Sequence, residues 1–234
     1  MPDNEEITEL YPNGQVREKF MMKDGKIDGQ VSSYGPAGEL LHTAQFVAGV
    51  LNGETVTYDA DGLPARKATM KDGKLEGETQ IFVAGKLKMK ALYKNGIQEA
   101  ETLHYDPAGS VTAKTLYQGG KLNGPSTWFG PQGALAKTSL YKDGKLNGET
   151  VEYFPNGKPH TVCQYKDDLL HGELKIYGED GKLKQTQRYE NGKLVVPASK
   201  SGTQAPAKGN IFTAKDAKDA KEARKSNDAA DFRR

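Results

Sequence analysis

The side chains that could perform catalysis or bind a metal are few in this sequence, and their spacing keeps them apart. His160 and Cys163 are the only neighbouring His and Cys residues, and a thiol nucleophile needs its base within hydrogen-bond reach. Positions 160 and 163 of a β-strand point to opposite faces. We therefore predict that Cys163 is a small filler on the apolar face that it shares with Tyr165. The other histidines lack metal-ligand spacing: His42, His104 and His171.

Two glycine-containing motifs resemble ligand loops only superficially. The run Asp59-Ala60-Asp61-Gly62 begins like a calcium loop, but neither aspartate is followed by a glutamate at position twelve of the loop. The recurrent Gly-Lys-Leu segments lack the spacing of a phosphate loop and the helix that follows one. Both motifs are better explained as tight turns, so we expect a protein that is not an enzyme and that has no cofactor or metal.

The composition of the 234 residues excludes several classes of protein. Hydrophobic residues make up 35% of the chain and glycine accounts for 27 residues, which disfavours a thick core wrapped by helices. One cysteine excludes a disulfide framework, and a net charge of +2 gives no reason to expect nucleic acid. No apolar run reaches the roughly 18 residues of a membrane-spanning helix. The acidic start predicts a cytoplasmic protein, or a periplasmic one if a native leader was removed.

Aromatic and glycine residues recur every 23 or 24 residues, which indicates eight units over residues 11–196. An aromatic residue heads each unit: Tyr11, Tyr34, Tyr58, Phe82, Tyr105, Phe129, Tyr153 and Tyr177. A second large residue follows in each unit: Met22, Phe46, Met70, Tyr93, Tyr117, Tyr141, Tyr165 and Tyr189. Three further positions are mostly glycine, with departures that include Ala100, Asp168 and Val196. Such self-similarity is typical of repeat proteins.

Each unit is predicted to form two short strands joined by tight turns. The segment from Lys86 to Tyr93 alternates lysine with apolar residues, as in a strand with one buried face. Asp-Gly and Asn-Gly pairs tolerate the positive φ that hairpin turns need. Neither connection leaves room for a crossover helix. We therefore predict an all-β repeat protein: an elongated antiparallel meander of about 16 short strands, with an aromatic ladder on one face and lysines on the other.

This pattern resembles the MORN-repeat class, and in particular the variant units of the bacterial YwqK-like antitoxin and immunity proteins. The resemblance rests on the segments Tyr141-Lys142-Asp143-Gly144-Lys145-Leu146-Asn147-Gly148-Glu149 and Tyr153-Phe154-Pro155-Asn156-Gly157-Lys158. It covers residues 11–196 as eight MORN-like hairpin units. It implies a non-enzymatic protein that binds and neutralises a cognate toxin. The departure at Ala100 suggests an altered bend near residues 96–100, and Val196 suggests a terminating unit.

The two ends of the chain differ from the repeats. Residues 1–10 are predicted to be an N-terminal lead-in, and residues 197–213 a linker rich in Pro, Ser, Gly and Lys. Residues 214–234 are predicted to be a charged tail with a short, conditional helix. That tail is either a solvated, fraying helix or a docking arm that folds against a partner, with Phe212 and Phe232 as its anchors.

A toxin-binding sheet is expected to use aromatic side chains as anchors, because tryptophan and tyrosine are enriched at interface hot spots. We predict partner contacts at Tyr58, Phe82, Tyr105, Trp128, Phe129, Tyr153, Phe212 and Phe232. Trp128 is either such a contact or a locally packed side chain. The expected partner is a toxin or secreted effector protein, and the expected state is a monomer or weak self-association.

Two other functions are compatible with the same sequence. Anionic lipid is an alternative ligand because lysines cluster on one predicted face (Lys86, Lys88, Lys90 and Lys184). The slightly acidic body makes a membrane surface the weaker of the two partner classes. A structural scaffold that self-associates through its terminal strands is a further alternative, since unprotected sheet edges invite strand pairing.

Overall fold

A computed structural model describes residues 4–196, which form one sheet of 18 strands. The strands are β1 (Asn4–Leu10), β2 (Val16–Lys23), β3 (Lys26–Ile27), β4 (Gly29–Tyr34), β5 (Leu40–Val47), β6 (Val50–Tyr58), β7 (Pro64–Lys71), β8 (Lys74–Val83), β9 (Lys86–Lys94), β10 (Ile97–Tyr105), β11 (Val111–Gln118), β12 (Lys121–Phe129), β13 (Leu135–Lys142), β14 (Lys145–Tyr153), β15 (Pro159–Lys166), β16 (Leu169–Tyr177), β17 (Leu183–Glu190) and β18 (Lys193–Leu194). Apart from β3 and β4, which both pair with β2, consecutive strands pair antiparallel, so the predicted all-β meander is confirmed. Within residues 4–196, helical structure is limited to a 3-10 turn at Pro131–Gly133.

The number of strands exceeds the predicted sixteen or so for two reasons. Asn4–Leu10, in the predicted lead-in, pairs with β2 as a strand in its own right. Asp28 interrupts the second strand of the first unit, and the resulting β3 and β4 both pair with β2. The predicted linker and C-terminal helix lie outside the described residues.

Along one side of the sheet, where the strands end, neighbouring strands are connected by two-residue hairpin turns. Asp143 (φ 51°) and Gly144 (φ 84°) connect the paired residues Lys142 and Lys145, and positive φ at both central positions is the geometry that matches the twist of the flanking strands. The Gly144 N–H donates to the carbonyl of Leu122 in the preceding unit at 2.7 Å. Equivalent bonds recur along this side, so each turn is anchored to the turn before it.

Each hairpin also contains a bulge at the third glycine position. In β14, Asn147, Gly148 and Glu149 lie opposite the single residue Leu140. Gly148 has φ 114°, and a Cβ there would lie 3.1 Å from the Cβ of Leu140, so both conformation and space require glycine. Ala100 occupies the same position with φ 58°, a left-handed value that a small residue tolerates at some cost. The departure at Ala100 is therefore a local backbone change within a retained bulge.

At the opposite ends of the strands, the connections are longer turns of the type seen in Pro155-Asn156-Gly157. Gly157 N–H donates to the carbonyl of Phe154 at 2.9 Å, and Phe154 N–H donates to Lys158 at 2.8 Å. The side chain of Asn156 donates across to the carbonyl of Glu179 in the next unit at 3.3 Å. On this side, bonds between units are present at the first units, where Asn13 donates to Pro36, and at the last units, where Asn156 donates to Glu179.

The core of this single layer is a row of small residues across the middle of the strands. Paired registers align them from β5 to β15: Ala44, Thr55, Ala68, Thr79, Ala91, Thr102, Thr115, Ser126, Ser139, Thr150 and Cys163. All but Thr55 are buried. Small side chains are buried here because taller neighbours on the same face stand on both sides of the row.

Candidate partner-binding surfaces

The pairing registers assign the side chains to two faces, because paired residues share a face and successive residues alternate. We define the front face by Ser139, Tyr141 and their paired residues Thr150 and Leu146. The back face is defined by Leu140 and by the residues that alternate with this set. Every candidate residue can then be placed on one face or the other.

Two adjacent front-face rows contain no charged residue between β5 and β16. One is the row of small residues, which Leu174 extends into β16. The other pairs each large residue with leucine, except that Tyr93 is paired with the polar Gln98: Phe46 with Leu51, Met70 with Leu75, Tyr93 with Gln98, Tyr117 with Leu122, Tyr141 with Leu146 and Tyr165 with Leu170. These large side chains are half-buried. These two rows therefore offer contact area without a need to desolvate charges. The charged front-face residues Arg66, Lys137 and Glu152 lie in the next row.

Hydroxyl groups line the middle of the front face. Thr102, Thr115, Ser126, Ser139 and Thr150 follow one another directly across β10–β14. Thr150 Oγ1 donates to Ser139 Oγ at 3.0 Å. The hydroxyls of Thr115 and Ser126 are buried and have no hydrogen-bond partner within residues 4–196, so each carries the free-energy cost of an unpaired buried polar group.

The back face carries its charge in three rows. The row beside the hairpin turns consists largely of exposed lysines: Lys71, Lys74, Lys94, Lys121, Lys142, Lys145 and Lys166. The next two rows are of opposite sign. Exposed glutamates follow the bulge position: Glu54, Glu78, Glu101, Glu149 and Glu173. Lysines occupy the next row: Lys67, Lys90, Lys114 and Lys175. The two rows are joined by Lys90 Nζ to Glu78 at 3.0 Å and Lys175 Nζ to Glu173 at 2.9 Å. The hydrogen bond with Glu78 raises the pKa of Lys90, and the lysines of its row are thus partly neutralised.

The predicted aromatic contacts form one row, with an exception. Tyr58, Tyr105, Phe129 and Tyr153 are the last residues of their strands, and Phe82 is the residue before the last one of β8. Each lies opposite an aliphatic residue on the side of the sheet away from the hairpin turns. All are half-buried. Glu152 lies on the front face, and successive residues of a strand point to opposite faces. Tyr153 and the row it belongs to therefore lie on the back face. The other aromatic row, with Tyr141, is on the front face, so the predicted single aromatic ladder on one face is wrong.

Trp128 lies apart from that row. It is paired with Ala113 and Lys137 on the front face, as its sequence position beside Phe129 predicts. Lys137 Nζ lies 5.7 Å from the centroid of the Trp128 ring, a cation–π distance. Phe212 and Phe232 lie outside the described residues. The predicted set therefore divides into a back-face row and one front-face tryptophan.

A shallow front-face concavity of about 230 Å³ was not anticipated from the sequence. Its walls come from four strands: His42, Leu51, Thr55, Thr57, Arg66, Met70 and Leu75. His42 Nε2 and Thr55 Oγ1 are 2.6 Å apart, and burial lowers the pKa of His42. Only the strand register brings these residues together, so no sequence spacing could have revealed them.

The groups considered for catalysis are kept apart or buried. Cys163 is 5% exposed, as predicted for a small filler, and its Sγ lies 3.7 Å from the carbonyl oxygen of Thr150. Burial raises the pKa of the Cys163 thiol to about 11, so it is protonated at neutral pH. Residues 4–196 contain no group of three or more His, Cys, Asp or Glu side chains arranged to hold a metal. In the same range, no helix is long and apolar enough to cross a membrane.

Comparison with known families identifies repeats at the C-terminal part of the sheet. The MORN repeat variant matches residues 146–167 and residues 170–191. Each match runs from a second strand through a tight turn into the following first strand, that is β14 to β15 and β16 to β17. The chain therefore carries MORN repeat variants in these residues. Among curated proteins, no significant relative is found.

Proposed function

We propose that this MORN-repeat sheet is a non-enzymatic antitoxin or immunity protein that neutralises a cognate bacterial toxin by covering its active surface. The observation that carries the proposal is the front face of β5–β16, where two adjacent rows are uncharged and half-exposed at their large side chains. Association through such a surface gains from apolar burial and avoids the cost of removing ions from water.

The fold favours a rigid binding surface. Turn-to-turn hydrogen bonds such as Gly144 to Leu122 tie neighbouring units at the hairpin turns, and side-chain bonds such as Asn156 to Glu179 tie some neighbouring units on the opposite side. A surface that is ordered before binding loses less conformational entropy on association. Steric occlusion needs a large contact area, and stable interfaces bury about 1,600 Å² in total. A repeated sheet supplies such an area without a catalytic group.

Co-expression tests the proposal directly. Each gene adjacent to the one for this protein is expressed in a bacterial host with and without the full chain, and growth is measured. We expect at least one neighbour to arrest growth alone and to be tolerated when the chain is present. If no neighbour is toxic, or if toxicity persists in the presence of the chain, the antitoxin proposal fails.

Trp128 and Phe129 form a matched pair that identifies the binding face, because they are adjacent on β12 and lie on opposite faces. We predict that W128A weakens toxin binding at least tenfold by calorimetry, since truncated aromatic anchors at an interface cost about 2 kcal/mol or more. F129A is expected to change the affinity less than threefold. The reverse pattern would move the contact to the row of Tyr58, Phe82, Tyr105, Phe129 and Tyr153.

A further inference from the structure

Each repeat unit has a first strand before its hairpin turn and a second strand after it. Within the described sheet, β1 and β18 each correspond to only one part of such a second strand. A complete second strand has a Lys-Leu half before the bulge and a longer half after it, as in β14 with Lys145-Leu146 and then Glu149–Tyr153. Within residues 4–196, the last unit shows only the first half, since β18 spans Lys193–Leu194. Val196 takes the bulge position and does not adopt a positive φ, a conformation that β-branched residues resist.

Among residues 4–196, no strand pairs with part of β17 on its outer side. Tyr189 and Glu190 pair with Leu194 and Lys193 of β18, as Tyr141 and Lys142 pair with β14. Within residues 4–196, however, the segment 185–187 pairs only with β16. In every preceding unit the equivalent residues are covered by the second half of the next strand, so this edge presents backbone groups that a further strand could pair with.

The first strand corresponds to the half that the last unit does not show within residues 4–196. β1 precedes the turn Tyr11-Pro12-Asn13-Gly14, as Glu149–Tyr153 precedes Phe154-Pro155-Asn156-Gly157. Its pairing with β2 has the same register as the pairing of β14 with β15. In β1 the pairs are Leu10 with Val16, Glu9 with Glu18 and Thr8 with Lys19. The corresponding pairs of β14 are Tyr153 with Pro159, Glu152 with Thr161 and Val151 with Val162. Within the described range, the outer edge of β1 has no pairing strand.

We propose that β1 of a second copy of this chain pairs with β17 and completes the eighth unit. The register follows from that of β13 with β14, in which Lys137, Thr138 and Ser139 pair with Glu152, Val151 and Thr150. It places Gln185 opposite Glu9, Thr186 opposite Thr8, and Gln187 opposite Ile7 of the second copy. The alternating strand directions make this pairing antiparallel, as everywhere else in the sheet.

Side-chain chemistry favours the same contact. β1 carries Glu5, Glu6 and Glu9 and no basic residue, whereas β17 carries Lys184 and Arg188 against the single Glu190. Within one copy, several of these charges already have exposed ion-pair partners: Glu6 with Lys19, Glu9 with Arg17, Lys184 with Asp180 and Arg188 with Glu190. Such pairs can exchange partners at low cost. Opposite charges accelerate encounter and fix the register of an interface. Ile7 and Gln187 would continue the front-face row of small and apolar residues from one copy into the next. The contact is heterologous, since β1 of one copy meets β17 of another, so it propagates as an open series.

A disulfide trap tests the register. The single variants I7C and Q187C of the full chain are purified reduced, mixed at equal concentration and oxidised, and the products are separated on a non-reducing gel. We expect a covalent dimer in the mixture at a yield at least fivefold above that of either variant alone, because directly opposed Cβ atoms lie about 4.5–5.5 Å apart. Native Cys163 is 5% exposed and does not compete.

The matched control shifts the register by one residue. T8C mixed with Q187C places the two thiols on opposite faces, and we expect a dimer yield at the level of the single variants. Equal yields in the two mixtures, or no dimer in either while both variants show the far-ultraviolet circular dichroism of the parent, would overturn the proposal. A disulfide within one chain of the double variant I7C/Q187C, without covalent dimer, would also overturn it, since the two edges would then meet in the same copy.

Discussion

At the residue scale, the glycines of this protein answer two different physical requirements. Turn glycines such as Gly144 need only a positive φ, which glycine adopts without steric cost. Some bulge glycines also face a close neighbour: a Cβ on Gly53 would lie 2.7 Å from the Cβ of Gln45. The bulge at Gly77 has φ 88° and open space around it. The two requirements can therefore be measured separately.

G53A and G77A provide that measurement. Both variants strain the backbone, which costs about 1–3 kcal/mol, but G53A alone must also displace the Gln45 side chain at its Cβ. We predict that both lower the free energy of unfolding in urea and that G53A lowers it by about 1 kcal/mol more. Equal losses in the two variants would show that the contact with Gln45 relaxes freely.

Cys163 gives the alkaline side of the stability profile a specific dependence on pH. Its folded-state pKa is raised from 9.0 to about 11 by burial, so the folded state keeps the proton between pH 9 and 11 while the unfolded state loses it. Stability contributed by the protonated thiol is therefore present below pH 9 and is lost as the pH rises to 11.

The variant C163A removes this dependence while fitting the row, since Ala68 and Ala91 occupy equivalent places. We predict that the free energy of unfolding of the parent falls by about 1–3 kcal/mol more than that of C163A between pH 9 and 11. Chemical denaturation at a series of pH values checks this. Parallel curves for the two proteins would contradict the assignment.

At the scale of the strand, burial depends on the position of a residue in the sheet more than on the size of its apolar side chain. Ala91 of β9 is 1% exposed, whereas the next residue, Leu92, is 43% exposed on the back face. A single layer buries a residue only where taller neighbours stand around it. The space over each small residue is consequently fixed by the adjacent rows on the same face.

Overpacking this row is expected to cost more than shortening its exposed neighbour. We predict that A91L lowers the free energy of unfolding by about 1–3 kcal/mol, because the larger side chain forces its neighbours out of position. L92A is expected to change it by about 0.5 kcal/mol, the range of surface substitutions. Urea denaturation of both variants compares them, and a stable A91L would show that the front face has room to expand.

At the scale of the whole molecule, most of the charge lies on the back face, whereas the front face carries Arg66, Lys137 and Glu152 beside its two uncharged rows. Residues 1–196 contain 24 Lys and Arg against 26 Asp and Glu. The back-face lysines stand beside a row of glutamates and are bonded to it at Lys90–Glu78 and Lys175–Glu173. Such exposed pairs contribute little to stability, but they lower the positive potential that an anionic membrane would attract.

We therefore predict that the protein does not co-float with vesicles of phosphatidylserine and phosphatidylcholine, even at low salt. The variant E78Q/E173Q releases the two paired lysines and is expected to raise the bound fraction slightly, by about 1 kcal/mol per freed lysine at most. Strong flotation of the parent protein would instead support the lipid-binding alternative.

The sequence by itself determined the repeat, the turns and the class of fold. These features are local, because Asn-Gly and Asp-Gly pairs select the hairpin turn and strand periodicity selects an antiparallel neighbour. Cys163 was also placed correctly, since only parity along one strand was needed. The extra strand β1 was missed because its seven residues precede the first aromatic position that marked the units.

Only the tertiary structure decided which residues share a surface. The bulge opposite Leu140 and the register shift at Tyr153 reset the alternation twice in every unit, so the two aromatic rows lie on opposite faces although the sequence placed them on one. The concavity with His42 and Arg66, the charge rows of the back face and the two half-strands likewise depend on register. Register is a long-range property set by pairing across strands, and the period of the sequence does not contain it.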